Sequence, residues 1–326
     1  MHRPNCAWQR FSGASMGLAM VALGIPGSVF WPYFAGAVVL AAGLPIVIKA
    51  DLPLERGWEK VIPFGRLFYA MPMAVFGAEH FTAARFIVRI VPAWMPVPRF
   101  WVFLVGLALL AAALSLAVKK YAALAALLMG IMLLLFVVMI HIPNVVAQPG
   151  DRFLWAIACR DLAFSGGAFA YAGAYGEAWL CRGRQWLITV GRFIIAATAL
   201  FFGVEHFLHP GFVPGVPLNK VMAAWIPVRL FWGYLTGVVL VAAGTSLLIR
   251  KRVRLAATCL GVTIFLIVLF VYLPTLIVHP SDIGNELNFV VDTLVFSGAA
   301  LLLADAAPRE GQPHDVRERE STKPVA

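Results

Sequence analysis

Long apolar runs, nearly free of Lys, Arg, Asp and Glu, alternate with short polar gaps along most of this chain. Residues 100–118 ("FWVFLVGLALLAAALSLAV") form the clearest run, and 121–142 follows after only Lys119 and Lys120. Residues 230–249 and 255–278 make a similar pair around "RKRVR", and further runs cover about 61–81, 155–176, 186–207 and 287–304. A helix that crosses a bilayer needs roughly 20 mainly apolar residues, so each run predicts one span. Gaps of a few residues make each such pair antiparallel neighbours. The alternating segments of about ten residues that mark an outer-membrane barrel do not occur in the sequence.

The beginning of the chain reads differently. After the basic "MHRPNCAWQR", residues 11–48 carry no charge, which is too long for one ordinary span. Pro26-Gly27 can split this stretch into a short helix and a full one near 29–48. No clear A-x-A site follows the first apolar stretch, so two spans are preferred to a cleaved signal peptide. The expected fold is all-α: a polytopic membrane protein with two parallel four-helix bundle repeats plus one or two N-terminal transmembrane helices. Its parts are an N-terminal extension over 1–60, a first four-helix unit over 61–180, a second over 186–306, and a tail over 307–326. The tail contains "PREGQPHDVREREST", which has no hydrophobic pattern and is expected to be disordered.

The repeat is read from self-similarity. "GRLFYAMPMAVFGAEHF" begins at Gly65 and "GRFIIAATALFFGVEHF" at Gly191, an offset of 126. "AWMPVPRFWVFLVG" at Ala93 and "AWIPVRLFWGYLTG" at Ala224 shift the offset to 131, so five residues are added in between. That offset then relates Lys120 to Lys251, Pro143 to Pro274, Asp151 to Asp282 and Asp161 to Asp292, ending with Gly167 and Gly298. An even number of spans per copy gives both copies one membrane orientation, so the repeats are parallel.

Composition agrees with lipid as the solvent. The chain of 326 residues is 61% hydrophobic, against about 45–50% for soluble domains. The net charge of +10 could suit nucleic acid, but the basic residues sit mostly in short gaps between spans, so no nucleic-acid partner is expected. With 61–81 starting inside, every tight inner loop is basic: Lys119-Lys120, Arg182 with Arg184, and the stretch from Arg250 to Arg254. That is the positive-inside pattern, and it predicts a multi-pass protein of the cell (inner) membrane with a cytoplasmic tail. Cys6, Cys159, Cys181 and Cys259 show neither a C-x-x-C nor a metal spacing.

The motifs "FGAEHF" at 76–81 with "PAWMPVPRFW" at 92–101, and "FGVEHF" at 202–207 with "AAWIPVRLFW" at 223–232, resemble those of the DoxX-like integral membrane proteins. The resemblance covers about 61–176 and 186–305 and implies a four-helix unit, here in tandem duplication. The family name derives from a subunit of a membrane thiosulfate:quinone oxidoreductase, so the resemblance implies a redox or quinone association without assigning a reaction.

The charged groups inside the spans are the candidate chemistry. Arg66 and Glu79 are 13 residues apart, as are Arg192 and Glu205, a rise of about 20 Å within a hydrocarbon core of about 30 Å. Arginine can snorkel out at the inner end. Glutamate cannot, so Glu79 and Glu205 are expected in the outer third, facing protein. An ionisable group there is costly and serves either as a helix–helix clamp or in proton or substrate chemistry. Asp161 and Asp292 lie early in the fourth helix of each unit, where they can meet Glu79 and Glu205 respectively. Asp161 neighbours Arg160, whereas Asp292 needs a partner from another helix. His80, His206 and His141 also fall in the outer half. They could join the glutamates as metal ligands, but position 272, which matches His141, is tyrosine, and no metal is expected. Small residues in "FSGGA" at 164–168 and "FSGAA" at 296–300 allow close helix approach. Trp94 and Trp225 read as interface anchors or as ring platforms for a quinone headgroup.

No P-loop, nucleotide fingerprint or haem motif appears in the sequence. No bound cofactor is expected, a diffusing quinone excepted. Three readings stay open: a redox- or quinone-associated membrane protein, a small-solute or proton-coupled transporter, and a non-catalytic scaffold or assembly factor. The expected partners are the lipid bilayer, a membrane redox protein, or a second copy of the chain.

Overall fold

The computed structural model describes residues 26–176, 183–216 and 220–309. It is all-helical apart from one isolated bridge between Phe212 and Val221. The long helices are α1 (Gly27–Ile46), α2 (Gly65–Thr82), α3 (Pro98–Val118), α4 (Ala122–Ala147), α5 (Arg152–Tyr175), α6 (Arg184–Leu208), α7 (Arg229–Leu248), α8 (Val253–Val278) and α9 (Ile283–Ala306). Among the described residues, eight helices are long and apolar enough to cross a membrane. The exception in this series is α5, whose 24 residues include Arg152, Arg160, Asp161 and many small residues. Other helices surround it, so protein replaces lipid along its length. The split at Pro26 starts α1 at Gly27. The shorter helix expected before it lies outside the described residues, as do Cys6, Cys181 and Arg182. At the other end the chain stays engaged slightly longer than expected. Ala307 is buried, and Arg309 pairs with Glu55 at 2.7 Å; the rest of the tail lies outside the described residues.

Helices α2 to α9 close into a ring in chain order, α9 packing back on α2, while α5 and α9 also meet through its middle. The ring does not sort into α2–α5 and α6–α9. Helix α2 packs on α9, and α6 packs on α5, so each first helix leans on the fourth helix of the other half. Glycine permits both approaches. A Cβ on Gly191 of α6 would collide with Gly166 O of α5, and a Cβ on Gly298 of α9 would lie 2.6 Å from Tyr69 N of α2.

Local structure recurs at matched residues of the two halves. Val97 and Val228 both hold positive φ, 50° and 47°, just before α3 and α7. Arg66 donates to Leu116 O and Ala117 O, and Arg192 donates to Leu247 O and Leu248 O. These arginines therefore do not snorkel. They are buried, closing the carbonyl ends of α3 and α7, and Arg66 also pairs with Asp51 at 2.8 Å. Both α4 and α8 carry a π turn, at Val137–His141 and Val268–Tyr272.

One correspondence differs from the sequence reading. Asp151 and Asp282, 131 apart, both cap the helix that follows. Ser165 donates to Gly130 O, but Ser297 donates to Gly261 O, so the serines on the fourth helices are 132 apart. The extra residue is taken up by a π turn at Ile283–Leu287 that α5 lacks. Beyond that turn the counterpart of Asp292 is Arg160, not Asp161, and the counterpart of Asp161 is Thr293. Likewise Gly167 corresponds to Ala299 rather than Gly298.

Candidate functional site

Between the tryptophan-bearing ends of the helices lies a cavity of about 920 Å³, bordered by α2, α3, α4, α5 and the start of α9. That is the upper part of the range of roughly 300–1,000 Å³ typical of small-molecule sites. Its wall is mostly apolar, from Met73, Phe76, Leu109, Phe136 and their neighbours. The polar residues converge on one region: Glu79 and His80 near the end of α2, His141 on the π turn of α4, Arg160 and Asp161 on α5, Asn288 and Asp292 on α9. Trp94 and Trp101 line the cavity as well, and Trp101 Nε1 donates to Pro96 O at 2.8 Å.

Arg160 organises the charges. Its Nε donates to Asp161 Oδ1 at 3.0 Å and its Nη1 to Asp292 Oδ2 at 2.7 Å. His141 Nε2 lies 2.8 Å from Asp161 Oδ2. Asp161 and Asp292 are both under a tenth exposed, and buried carboxylates need such partners. Arg160 and His141 thus answer the two aspartates. Glu79 is left over: among the described residues it has no ion-pair partner. With its amide nitrogen turned toward Glu79, Asn288 donates to both carboxylate oxygens, at 2.9 and 3.2 Å. His80 Nδ1 lies 2.8 Å from Phe76 O. A carbonyl only accepts, so a proton sits on Nδ1, and in the neutral ring Nε2 is an acceptor without a hydrogen-bond partner among the described residues.

The second half does not repeat this site. Glu205, the counterpart of Glu79, accepts from Arg152 Nη1 of α5 at 2.9 Å. The expected pairing of Glu205 with Asp292 does not occur, because the π turn carries Asp292 round to Arg160. The space matching the cavity is filled by the chain itself. The connection after α6 is longer by five residues in sequence, and within it Val213, Val216 and Met222 are buried. Gly215 N donates to His206 Nε2 at 3.1 Å, and Tyr272 Oη donates to Pro214 O at 3.0 Å. His206 is wholly buried, with its Nδ1 on Phe202 O.

Of the residues expected to matter, Glu79, His80, His141, Asp161, Asp292 and Trp94 line one cavity. Glu205 and His206 belong to the filled half, and both tryptophans are exposed, Trp94 at 70% and Trp225 at 58%. Among the described residues, no group of three or more His, Cys, Asp or Glu could hold a metal ion. Arg160 and Asn288 were not singled out as site residues. The sequence carried a signal for the first, since aligning "FSGGA" with "FSGAA" sets Arg160 against Asp292. Comparison of the chain with family models, with curated proteins and with solved structures gives no match.

Proposed function

We propose that this protein takes a lipophilic molecule of the quinone class into the cavity between α2, α3, α4, α5 and α9. The observation that carries the reading is a mostly apolar lining that also holds two hydrogen-bonded polar groups, His141–Asp161–Arg160–Asp292 and Glu79–Asn288. An isoprenoid or alkyl chain matches the wall, and an oxygenated ring matches Glu79, His80, His141 and Arg160. Trp94 and Trp101 offer aromatic faces beside it. The resemblance of "FGAEHF" and "PAWMPVPRFW" to DoxX-like proteins points the same way. Membrane orientation completes the reading: the basic loops at Lys119-Lys120 and Arg250-Lys251-Arg252 face the cytoplasm, and the cavity lies at the opposite end.

A carrier built of two alternating halves would use both in turn, and the filled second half lends that reading little support. The proposal is tested by extracting lipids from protein purified in mild detergent. Quinone co-purifying in near-stoichiometric amount is the expected result. Its absence, together with failure of added short-chain quinone or quinol to bind, would overturn the proposal.

A further inference from the structure

The filled half shows what the open half is shaped to receive. Gly215 sits deep in the second half. A Cβ placed on it would lie 3.1 Å from Thr293 Cγ2, 3.7 Å from Ile267 Cγ2 and 3.9 Å from Ile264 Cδ1. The counterparts of those three residues are Asp161, Phe136 and Leu133, and all three line the cavity. His206, which accepts from Gly215 N, corresponds to His80, and Tyr272, which donates to Pro214 O, corresponds to His141. Both histidines also line the cavity. The inward loop and the cavity therefore occupy the same place in the two halves.

We infer that the inward loop around Gly215 is an internal mimic of the ligand, and that the cavity selects a head group that donates a hydrogen bond to His80 Nε2. In the loop that donor is a backbone N–H meeting the lone pair of His206 Nε2. In the open half His80 makes the same Nδ1 contact, to Phe76 O as His206 does to Phe202 O, so in its neutral form it carries the same tautomer. Its Nε2 thus presents a lone pair to the cavity. A carbonyl oxygen placed there meets another acceptor, whereas a hydroxyl completes a bond. Glu79, beside His80 and without an ion-pair partner among the described residues, has both carboxylate oxygens engaged by Asn288, which leaves His80 as the acceptor for the head group. Applied to a quinone-class ligand, this favours the reduced, hydroxyl-bearing form over the oxidised one. The tyrosine contact is not retained: position 141 holds an imidazole committed to Asp161. The open half thus lacks one of the two bonds that fasten the loop.

The inference rests on the cavity being a ligand site, and the test separates the two claims. Binding of para-heptylphenol and of its methyl ether, para-heptylanisole, to the detergent-solubilised protein is measured by titration calorimetry, with empty micelles subtracted. The two probes share an apolar body and differ in the donor. The phenol should bind about tenfold more tightly, the scale of one hydrogen bond to a buried acceptor. In His80→Leu the difference should largely vanish. Equal binding of both probes to the unmodified protein, or a preference for the ether, would overturn the head-group claim and leave the cavity reading standing. Binding of neither would overturn both. A preference that persists in folded His80→Leu would contradict the role of His80. The comparison on the unmodified protein decides if that variant does not fold.

Discussion

Arg160 Nη1 lies 2.7 Å from Asp292 Oδ2, and the two residues hold the same place in the two halves of the chain. Seven residues on, Gly167 and Ala299 also face each other: a Cβ on the glycine would lie 2.5 Å from Ala299 Cα. Like positions meeting twice along α5 and α9 are what a parallel helix pair about a local twofold axis produces. At such an axis two identical residues would confront each other, and two arginines or two aspartates would repel. The π turn at Ile283–Leu287 rotates α9 so that opposite charges meet instead.

Arg160→Leu should therefore cost about 3–5 kcal/mol, the range for breaking a buried pair, because it strands Asp292 and weakens the hold on Asp161. The double variant Arg160→Leu with Asp292→Leu should recover a large part of that loss. Chemical unfolding in detergent or bicelles reads both. A double variant no more stable than the single one would contradict the pairing.

Glu79 and Glu205 look alike in sequence and differ in surroundings. Glu205→Gln removes the ion pair with Arg152 and should lower the melting temperature. Glu79→Gln removes no ion pair and keeps an amide partner in Asn288, so its melting temperature should stay near that of the parent. Thermal melts of the two variants side by side check this. Equal losses, or a larger loss in Glu79→Gln, would contradict the assignment.

The close approaches of α5 to α6 and of α9 to α2 depend on the missing side chain. Gly191→Ala and Gly298→Ala should each destabilise by about 1–3 kcal/mol through forced backbone shifts. Gly150→Ala and Gly284→Ala, where nothing lies within 4 Å of the added carbon, should be close to neutral. Unfolding measurements on the four variants give the comparison, and a neutral Gly191→Ala would rule out the tight α5–α6 contact.

Much of the architecture is legible in the amino-acid order, because a bilayer demands long apolar helices and similar motifs stand at fixed offsets along the chain. The long apolar helices and the 131-residue offset of the aspartate caps Asp151 and Asp282 follow from spacing. The lone Asp292 also shows that a partner from another helix is needed. Spacing does not show how the helices of the two halves share their packing. The one-residue step from 131 to 132 is visible only as a shift between "FSGGA" and "FSGAA". Its consequence, a 100° change in the facing of Asp292, follows from helical geometry. The five added residues before Ala224 are equally plain in sequence. That the stretch around Gly215 folds inward depends on Gly215, whose φ of 105° few other residues adopt, and on the acceptor and donor waiting at His206 and Tyr272.

Sidedness has its own test. Single cysteines at Lys119 and Arg252, in a cysteine-free background, should react only with reagents that cross the membrane. Cysteines at Pro149 and Ser281 should react with impermeant reagents added outside whole cells. Labelling of position 119 from outside would invert the topology.

The central claim is that one half of the molecule holds a ligand cavity and the other half fills the same place with its own chain. Saturation binding of short-chain ubiquinol, kept reduced, tests it most directly. Ala108 lines the cavity, and Val239 is its counterpart in the filled half. One molecule should bind per chain; Ala108→Trp should abolish binding and Val239→Trp should leave it unchanged. Two molecules per chain, or equal sensitivity to both substitutions, would contradict the account.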